Sequence, residues 1–133
     1  MFIENKDDLI NYFHQGEKND QYIGIENEKF LFDISTNSRA TYLKVRDVLI
    51  YLKKFGWQLV KEGENIIGLS QDDKNISLEP GNQIELAGSK LKSIHETCSE
   101  SYVFSDQLNQ ACEKLGLKMM SIGFDPISKI ENI

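Results

Sequence analysis

Two short segments of the sequence place carboxylates at spacings that could hold a cation. The first contains Glu26 and Glu28, and the second contains Glu79 and Glu85 with Gln83 between them. Residues two apart on a β-strand point to the same face, so Glu26 and Glu28 should project together, about 7 Å apart. Adjacent carboxylates repel each other unless a cation lies between them. Oxygen ligands of this kind suit Mg²⁺ or Mn²⁺ rather than zinc.

The second segment is harder to interpret as one site. Glu79, Gln83 and Glu85 share parity, but a straight strand would hold Glu79 and Glu85 about 20 Å apart. Either a kink at Pro80-Gly81 shortens that distance, or the two carboxylates serve different ions. The chain has 21 acidic residues, and same-face pairs also arise by chance or on a solvated edge. The spacing alone therefore leaves a metal site and a solvated face both open.

Other common catalytic and partner signatures are missing from the sequence. Its nine glycines form no Walker A loop or dinucleotide fingerprint, and no Gly-x-Ser-x-Gly elbow is present. His95-Glu96 begins like a zincin helix but lacks the second histidine. A net charge of −6 with scattered lysines argues against a nucleic-acid partner. With no membrane-length apolar run and no signal-peptide pattern, we expect a cytoplasmic protein without a membrane partner.

The apolar patterning predicts one domain of mixed elements, because 133 residues fit a single domain. The expected helices cover residues 5–16, 41–55 and 90–115, and the expected strands cover 21–33, 57–61, 65–70, 75–87 and 117–124. The order is not a strict βαβ alternation. It predicts an α+β fold, built on a largely antiparallel sheet with helices packed on one face.

The two cysteines, Cys98 and Cys112, both fall on the third predicted helix. Fourteen residues of helix span about 21 Å, which excludes a disulfide between them. Cys98 shares the predicted apolar seam of this helix with Leu91 and Ile94, so we expect both thiols to be buried in the core.

Several stretches resemble, in the same order, the glutamate–cysteine ligases of the plant and alphaproteobacterial type. Gly24-Ile-Glu-Asn-Glu-Lys-Phe30 resembles that family's Gly-x-Glu-His-Glu-Lys-Phe. Residues 76–86, Ile-Ser-Leu-Glu-Pro-Gly-Asn-Gln-Ile-Glu-Leu, are similar to Ile-Ser-Leu-Glu-Pro-Gly-Gly-Gln-Phe-Glu-Leu. The match continues at residues 56–57, 66–69, 95–100 and 116–126, and so covers nearly the whole chain.

The sequence also departs from the family pattern at several positions. Asn27 replaces a histidine, Asn82 a glycine and Ile84 a phenylalanine, Lys90 stands where proline is common, and Ala40 replaces the proline after Arg39. None of these changes removes a carboxylate.

The resemblance implies an activity and a set of site residues. It implies ATP-dependent ligation of the γ-carboxyl of L-glutamate to L-cysteine through a γ-glutamyl phosphate, the first step of glutathione biosynthesis. Glu26, Glu28, Glu79 and Glu85 would be Mg²⁺ (or Mn²⁺) ligands, Gln83 and Arg39 would bind substrate, and ATP would be the co-substrate. No residue is carried over as a catalytic acid, base or nucleophile.

The resemblance also bears on fold and length. It implies part of the glutamine synthetase-like carboxylate–amine ligase fold. Because family members are substantially longer, we expect residues 1–133 to be a truncated N-terminal portion of a catalytic domain, which self-associates or needs a missing C-terminal part. A non-catalytic fragment that only binds Mg²⁺ or a partner, and a ligase with another amine acceptor, remain alternatives.

Overall fold

A computed structural model describes residues 2–17, 20–129 and 131. The helices within this range are α1 (Lys6–His14), α2 (Tyr42–Leu52, followed by a 3₁₀ turn at Lys53–Phe55) and α3 (Ile94–Leu115). The strands are β1 (Glu26–Asp33), β2 (Ser38–Arg39), β3 (Gln58–Glu62), β4 (Asn65–Gln71), β5 (Lys74–Glu79), β6 (Gln83–Ala87) and β7 (Leu117–Met120). None of the described helices is long and apolar enough to cross a membrane.

The seven strands form one open sheet in which all described pairs are antiparallel. Neighbouring strands run β3-β4-β5-β6-β1, and the second half of β1 also pairs with β2 and β7. The predicted α+β class and antiparallel sheet are therefore confirmed.

The hydrophobic core lies between one face of the sheet and the helices α2 and α3. Alternate strand residues point into it, among them Leu31, Leu69, Ile76, Ile84 and Leu86, all with at most 2% of their surface exposed. We name the opposite face the open face, because neither α2 nor α3 covers it.

The predicted strand over residues 75–87 is wrong, because the structure forms a hairpin there. Gly81 and Asn82 adopt positive φ angles of 82° and 62°, which reverse the chain instead of bending one strand. β5 and β6 therefore lie side by side, with Glu79 opposite Gln83.

The third helix begins later than predicted, at Ile94 rather than residue 90. Ser93 is its N-cap: its hydroxyl accepts from the Glu96 N–H at 3.3 Å, and the Glu96 carboxylate accepts from the Ser93 N–H at 2.9 Å. This capping box was visible in the sequence as Ser-x-x-Glu. Upstream, Leu91 forms a β-bridge with Ile23.

The buried seam of α3 also differs from expectation. Its buried residues are Thr97, Phe104, Leu108, Ala111 and Cys112. Cys98 and Ile94 were expected in the core but are exposed, Ile94 by 58%. Both cysteines are free, as predicted.

Two terminal strand boundaries also differ from expectation. β1 begins at Glu26 rather than residue 21, and β7 ends at Met120 rather than residue 124. Beyond Met120 the chain leaves the ladder, and Asp125 reaches the guanidinium of Arg39.

Candidate active site

Strand pairing brings the four predicted carboxylates to the open face. Glu28 lies directly opposite Glu85, and Glu26 lies opposite Ala87. On the other side of β6, Glu85 lies opposite Ser77. Because paired residues in antiparallel strands share a face, the four carboxylates occupy one side of three adjacent strands. We name this set, Glu26, Glu28, Glu79 and Glu85, the acidic face.

The backbone hydrogen bonds fix how closely these side chains approach. The Gly88 N–H donates to the Ile25 carbonyl at 2.8 Å, and this pair continues the β1–β6 register. Hydrogen-bonded and non-hydrogen-bonded pairs alternate along an antiparallel ladder, so Glu28 and Glu85 form a non-hydrogen-bonded pair with Cα atoms about 4.5 Å apart. This is the closer of the two pair types for side chains.

The hairpin also shortens the distance between the two glutamates of the second segment. Glu79 lies diagonally across from Glu85, which corresponds to about 7–8 Å rather than the 20 Å of a straight strand. Glu26 lies on the other diagonal, across β1. Glu85 is therefore the centre of the acidic face.

The electrostatics of Glu85 agree with this position. Partial burial raises the pKa of its carboxyl above the usual range, and the charges of Glu79, Glu26 and Glu28 raise it further. The ion pairs found among the described residues include none of these four carboxylates. A cation at this position would relieve the repulsion between them.

The donor set fits a hard divalent cation in part. All four side chains offer carboxylate oxygens, which Mg²⁺ prefers. Within residues 2–17, 20–129 and 131, however, no three Asp, Glu, His or Cys side chains are gathered closely enough to form a ready-made metal site. Mg²⁺ commonly takes only one or two protein carboxylates together with substrate phosphates. The cross-strand pair Glu28 and Glu85 is sufficient for that mode of binding.

Gln83 offers a further polar group at the end of this hairpin. It shares the open face with Glu79, its cross-strand partner, and its buried side-chain oxygen accepts no hydrogen bond from the described residues. A buried acceptor without a donor is costly. This oxygen is therefore suited to accept a hydrogen bond from a bound molecule.

Two clefts are each lined by one carboxylate of the acidic face. One, of about 380 Å³, is lined by Glu26 with Gly24, Ile25, Ala87 and Gly88. The other, of about 560 Å³, reaches from Glu79 and the hairpin turn to Tyr42, Ile67 and Leu78, and is mostly apolar. A ligand seated in either cleft would contact one of the outer carboxylates.

Arg39 lies away from the four carboxylates. It pairs across strands with Phe32, four residues or about 13 Å along β1 from Glu28. Its guanidinium lies 3.5 Å from the Asp125 carboxylate, and both side chains are largely buried, at 11% and 4% exposure. Arg39 therefore belongs to a buried ion pair, away from the acidic face.

Phe30 and Phe32 continue the open face beyond Glu28, as the alternation predicts. Both rings are nevertheless buried, at 5% and 4% exposure, with centroids 6.4 Å apart. They lie outside the core cluster between sheet and helices. These two aromatic residues thus form a second small packed region beside the Arg39–Asp125 pair.

Asn27 occupies the helix side of β1, not the acidic face. Its amide donates to the Ser101 hydroxyl of α3 at 2.8 Å, and its side-chain oxygen accepts from the Lys29 ammonium. Burial lowers the pKa of Lys29. A substitution at position 27 would therefore alter the contact with α3. It would not touch a molecule or ion bound at the acidic face.

One positioning residue, Glu100, had no role assigned from the sequence. Its carboxylate oxygens accept from the Ser89 N–H at 3.0 and 3.3 Å, just beyond β6. A Cβ at Gly88 would lie 2.4 Å from the same carboxylate. Glu100 thereby fixes the end of the strand that carries Glu85. The only sequence signal for Glu100 was its place in the family match over residues 95–100. No local pattern predicts its contact with Ser89.

Comparison with known proteins identifies relatives of the whole segment. The family model "Glutamate-cysteine ligase family 2" matches residues 22–132. The chain is 40% identical to the chloroplastic glutamate–cysteine ligase of Arabidopsis thaliana over 131 residues, which is 96% of this chain and 25% of that protein.

Two other plant proteins give the same result. Chloroplastic glutamate–cysteine ligase A of Oryza sativa subsp. japonica is 40% identical over 91% of this chain, and the Nicotiana tabacum enzyme is 39% identical over 91%. The chain spans about a quarter of the length of the curated relatives it matches.

Proposed function

Because the chain belongs to glutamate–cysteine ligase family 2, we propose that it supplies part of the site that joins the γ-carboxyl of L-glutamate to the amine of L-cysteine. The reaction would consume ATP, pass through a γ-glutamyl phosphate, and form the first intermediate of glutathione biosynthesis. The observation that carries the proposal is the convergence of Glu26, Glu28, Glu79 and Glu85 on one face.

The acidic face would act as the holder of Mg²⁺ or Mn²⁺, with Glu85 at its centre. When bound, the divalent ion neutralises phosphate charge during phosphoryl transfer. The carboxylates themselves repel phosphate, so they select ATP only in its metal-bound form. Their placement on paired strands keeps them at fixed separations, and this orients the phosphates relative to the sheet.

Gln83 and Arg39 would contact the amino-acid substrates. The buried Gln83 oxygen, which lacks a donor among the described residues, would accept a hydrogen bond from a substrate ammonium. Arg39 would bind a substrate carboxylate by exchanging its contact with Asp125. Since the two residues are far apart on the open face, they would contact different parts of the bound amino acids.

A second candidate function is binding without turnover. In that case the acidic face would hold Mg²⁺, or the chain would bind a partner, and no ligation would occur. The expected cytoplasmic location stays a prediction, and the plant relatives are named as chloroplastic.

The proposal is tested by ADP release from the purified chain with ATP, Mg²⁺, L-glutamate and L-cysteine. Release that requires both amino acids, falls strongly in Glu79→Gln and persists in Glu64→Gln would support a working ligase. Glu64 is an exposed turn residue between β3 and β4, so its substitution is the matched control. No release would favour the binding function.

Metal binding is tested separately, with Mn²⁺ as a paramagnetic probe. Bound Mn²⁺ should broaden the NMR amide signals of residues 26–28, 77–79 and 83–87 first, and Glu85→Gln should weaken this effect. Broadening centred elsewhere would contradict the metal assignment, whatever the ADP assay gives.

A further inference from the structure

A β-bulge interrupts the pairing of β1 with β6 just beyond the acidic face. The Gly88 N–H donates to the Ile25 carbonyl at 2.8 Å, and the next contact is the bridge between Ile23 and Leu91, with hydrogen bonds of 2.7 and 2.9 Å. Between these contacts the β1 side advances two residues, from 25 to 23, and the other side advances three, from 88 to 91. The extra residue lies within residues 89–90. Bulges are common beside active sites, where they re-aim a side chain.

Two carboxylates hold the amides of this bulge. The Ser89 N–H donates to the Glu100 carboxylate of α3 at 3.0 and 3.3 Å, and the Lys90 N–H donates to Asp73, in the turn before β5, at 3.4 Å. The Ser89 hydroxyl also donates to Asp73, and this hydrogen bond is the main reason why the pKa of Asp73 is lowered. Lys74, beside Asp73, lies 4.0 Å from the Glu100 carboxylate. We name Asp73 and Glu100, with the bulge that they hold, the bulge clamp.

The bulge clamp acts on the end of β6, beyond the fully buried residues that hold the middle of this strand in register. Ala87 and Gly88 are only partly buried, and Ala87 lies opposite Glu26. A Cβ at Gly88 would lie 2.4 Å from the Glu100 carboxylate and 3.0 Å from the Ile25 side chain. The chain is therefore confined here between α3 and the residue that precedes β1, and this confinement sets the separation of the two strands beside Glu26.

We propose that Asp73 and Glu100 are positioning residues for the cation that the acidic face would bind. By holding the bulge, they fix the position of Glu26 relative to Glu85, and with it the affinity of the acidic face for the ion. They act through the strand and not as ligands, since Glu100 belongs to α3, on the side of the sheet opposite the acidic face. This inference rests on the proposed function, but the position of Glu26 is measurable without metal.

A cross-strand contact measures the position of Glu26 directly. Glu26 and Ala87 form a non-hydrogen-bonded pair, because the next pair along the ladder is hydrogen-bonded. Their Hα atoms are therefore close enough for a strong NOE. In Glu100→Ala this NOE should weaken, and exchange of the Gly88 amide should quicken by about tenfold. An unchanged NOE in the folded variant overturns the proposal.

The affinity of the full chain for Mn²⁺ tests the consequence for the cation. Glu100→Ala should weaken Mn²⁺ binding about tenfold. Glu100→Gln keeps an oxygen for the Ser89 N–H and removes the charge, so it should retain most of the affinity. Glu113→Ala, at an exposed position of the same helix, is the control and should bind as the parent does.

Two results of the affinity measurement contradict a positioning role. If Glu100→Gln binds as weakly as Glu100→Ala, the effect belongs to charge and not to position. If Glu100→Ala binds as tightly as the parent, the bulge clamp does not affect the ion. Should Glu100→Ala fail to fold, Asp73→Ala removes the other carboxylate of the clamp at an exposed position, and the same two readouts decide.

The remaining outcomes separate this inference from the proposed function. A parent chain that binds no Mn²⁺ would contradict the metal assignment, and the positioning role would fall with it. Tight binding by the parent and by both clamp variants would overturn the positioning role alone. Weakened binding in Glu100→Ala, without ADP release from the parent, would uphold the positioning role and count against a working ligase.

Discussion

At the scale of single residues, Glu85 concentrates the electrostatic cost of the acidic face. It lies opposite Glu28 and diagonal to Glu26 and Glu79, and its pKa is raised by burial and by these three charges. A residue that only stabilised the fold would gain from a neutral side chain here. A cation bound at this position would offset the repulsion between the carboxylates.

Replacing Glu85 by glutamine should raise stability at neutral pH. The folded state holds the proton of Glu85 more tightly than the unfolded state, whose pKa is near 4.5. Its contribution to the free energy of unfolding therefore falls as pH rises from that value through the raised folded pKa. Urea unfolding of parent and Glu85→Gln across this window should show a smaller decline in the variant. Parallel curves would contradict the raised pKa.

The two cysteines should differ sharply in reactivity. Cys98 is exposed, whereas burial, and to a lesser extent the Glu113 charge, raises the pKa of the Cys112 thiol to about 12. Thiolates are the reactive species, so a disulfide reagent should modify Cys98 alone in the native chain and both residues in urea. Cys98→Ser should abolish the native reaction. Rapid modification of Cys112 in that variant would mean that α3 is not packed as described.

At the scale of elements, the strand pairings determine which side chains meet on the open face. The Pro80–Asn82 turn brings Glu79 back beside Gln83, and the β1–β6 ladder adds Glu26 and Glu28. The backbone of β5 approaches Gly68 of β4 closely. A Cβ there would lie 2.3 Å from the Ile76 carbonyl oxygen of β5.

Gly68→Ala should therefore destabilise the β4–β5 pair. The added methyl group meets backbone rather than a flexible side chain, and overpacking of this kind costs about 1–3 kcal/mol. Gly123→Ala is the control, since a Cβ at Gly123 meets nothing within 4 Å. Chemical denaturation of the two variants provides the comparison, and equal midpoints would contradict the close approach.

At the scale of the whole molecule, the chain exposes much apolar surface for its size. α1 has no buried residue, and its apolar side chains are exposed: Leu9 by 44%, Ile10 by 40% and Phe13 by 70%. On α3, Ile94 and Tyr102 are exposed by 58% and 77%. Such surfaces commonly mark interaction sites, which is consistent with self-association or a larger partner.

Removing residues 1–16 should leave the folded core intact. Because no side chain of α1 is buried, we expect the melting temperature to stay within about 3 °C of the parent. Leu108→Ala, at a fully buried position, should instead cost about 2–5 kcal/mol. Sedimentation velocity should show less self-association in the shortened chain. A large loss of stability on shortening would show that α1 packs against the core.

The sequence by itself determined the residue types of the site, the family, and the α+β class. Alternation predicted that Glu26 and Glu28 share a face, because the side-chain period of a strand is a local property. Some predictions from the sequence were wrong. The chain reversal at Gly81 and Asn82 and the start of α3 after Ser93 are marked by local signals that were misinterpreted. The apolar seam of α3 was also misassigned, because Cys98 and Ile94 are exposed.

Only the tertiary structure decided which segments become neighbours. That Glu85 lies between Glu28 and Glu79, that Asp125 reaches Arg39, and that Glu100 fixes the end of β6 all depend on contacts between residues distant in sequence. Periodicity fixes the direction of a side chain but not the strand beside it. Strand partners are chosen by burial of the whole apolar face and by turn geometry, which is why the acidic face became visible only in the folded sheet.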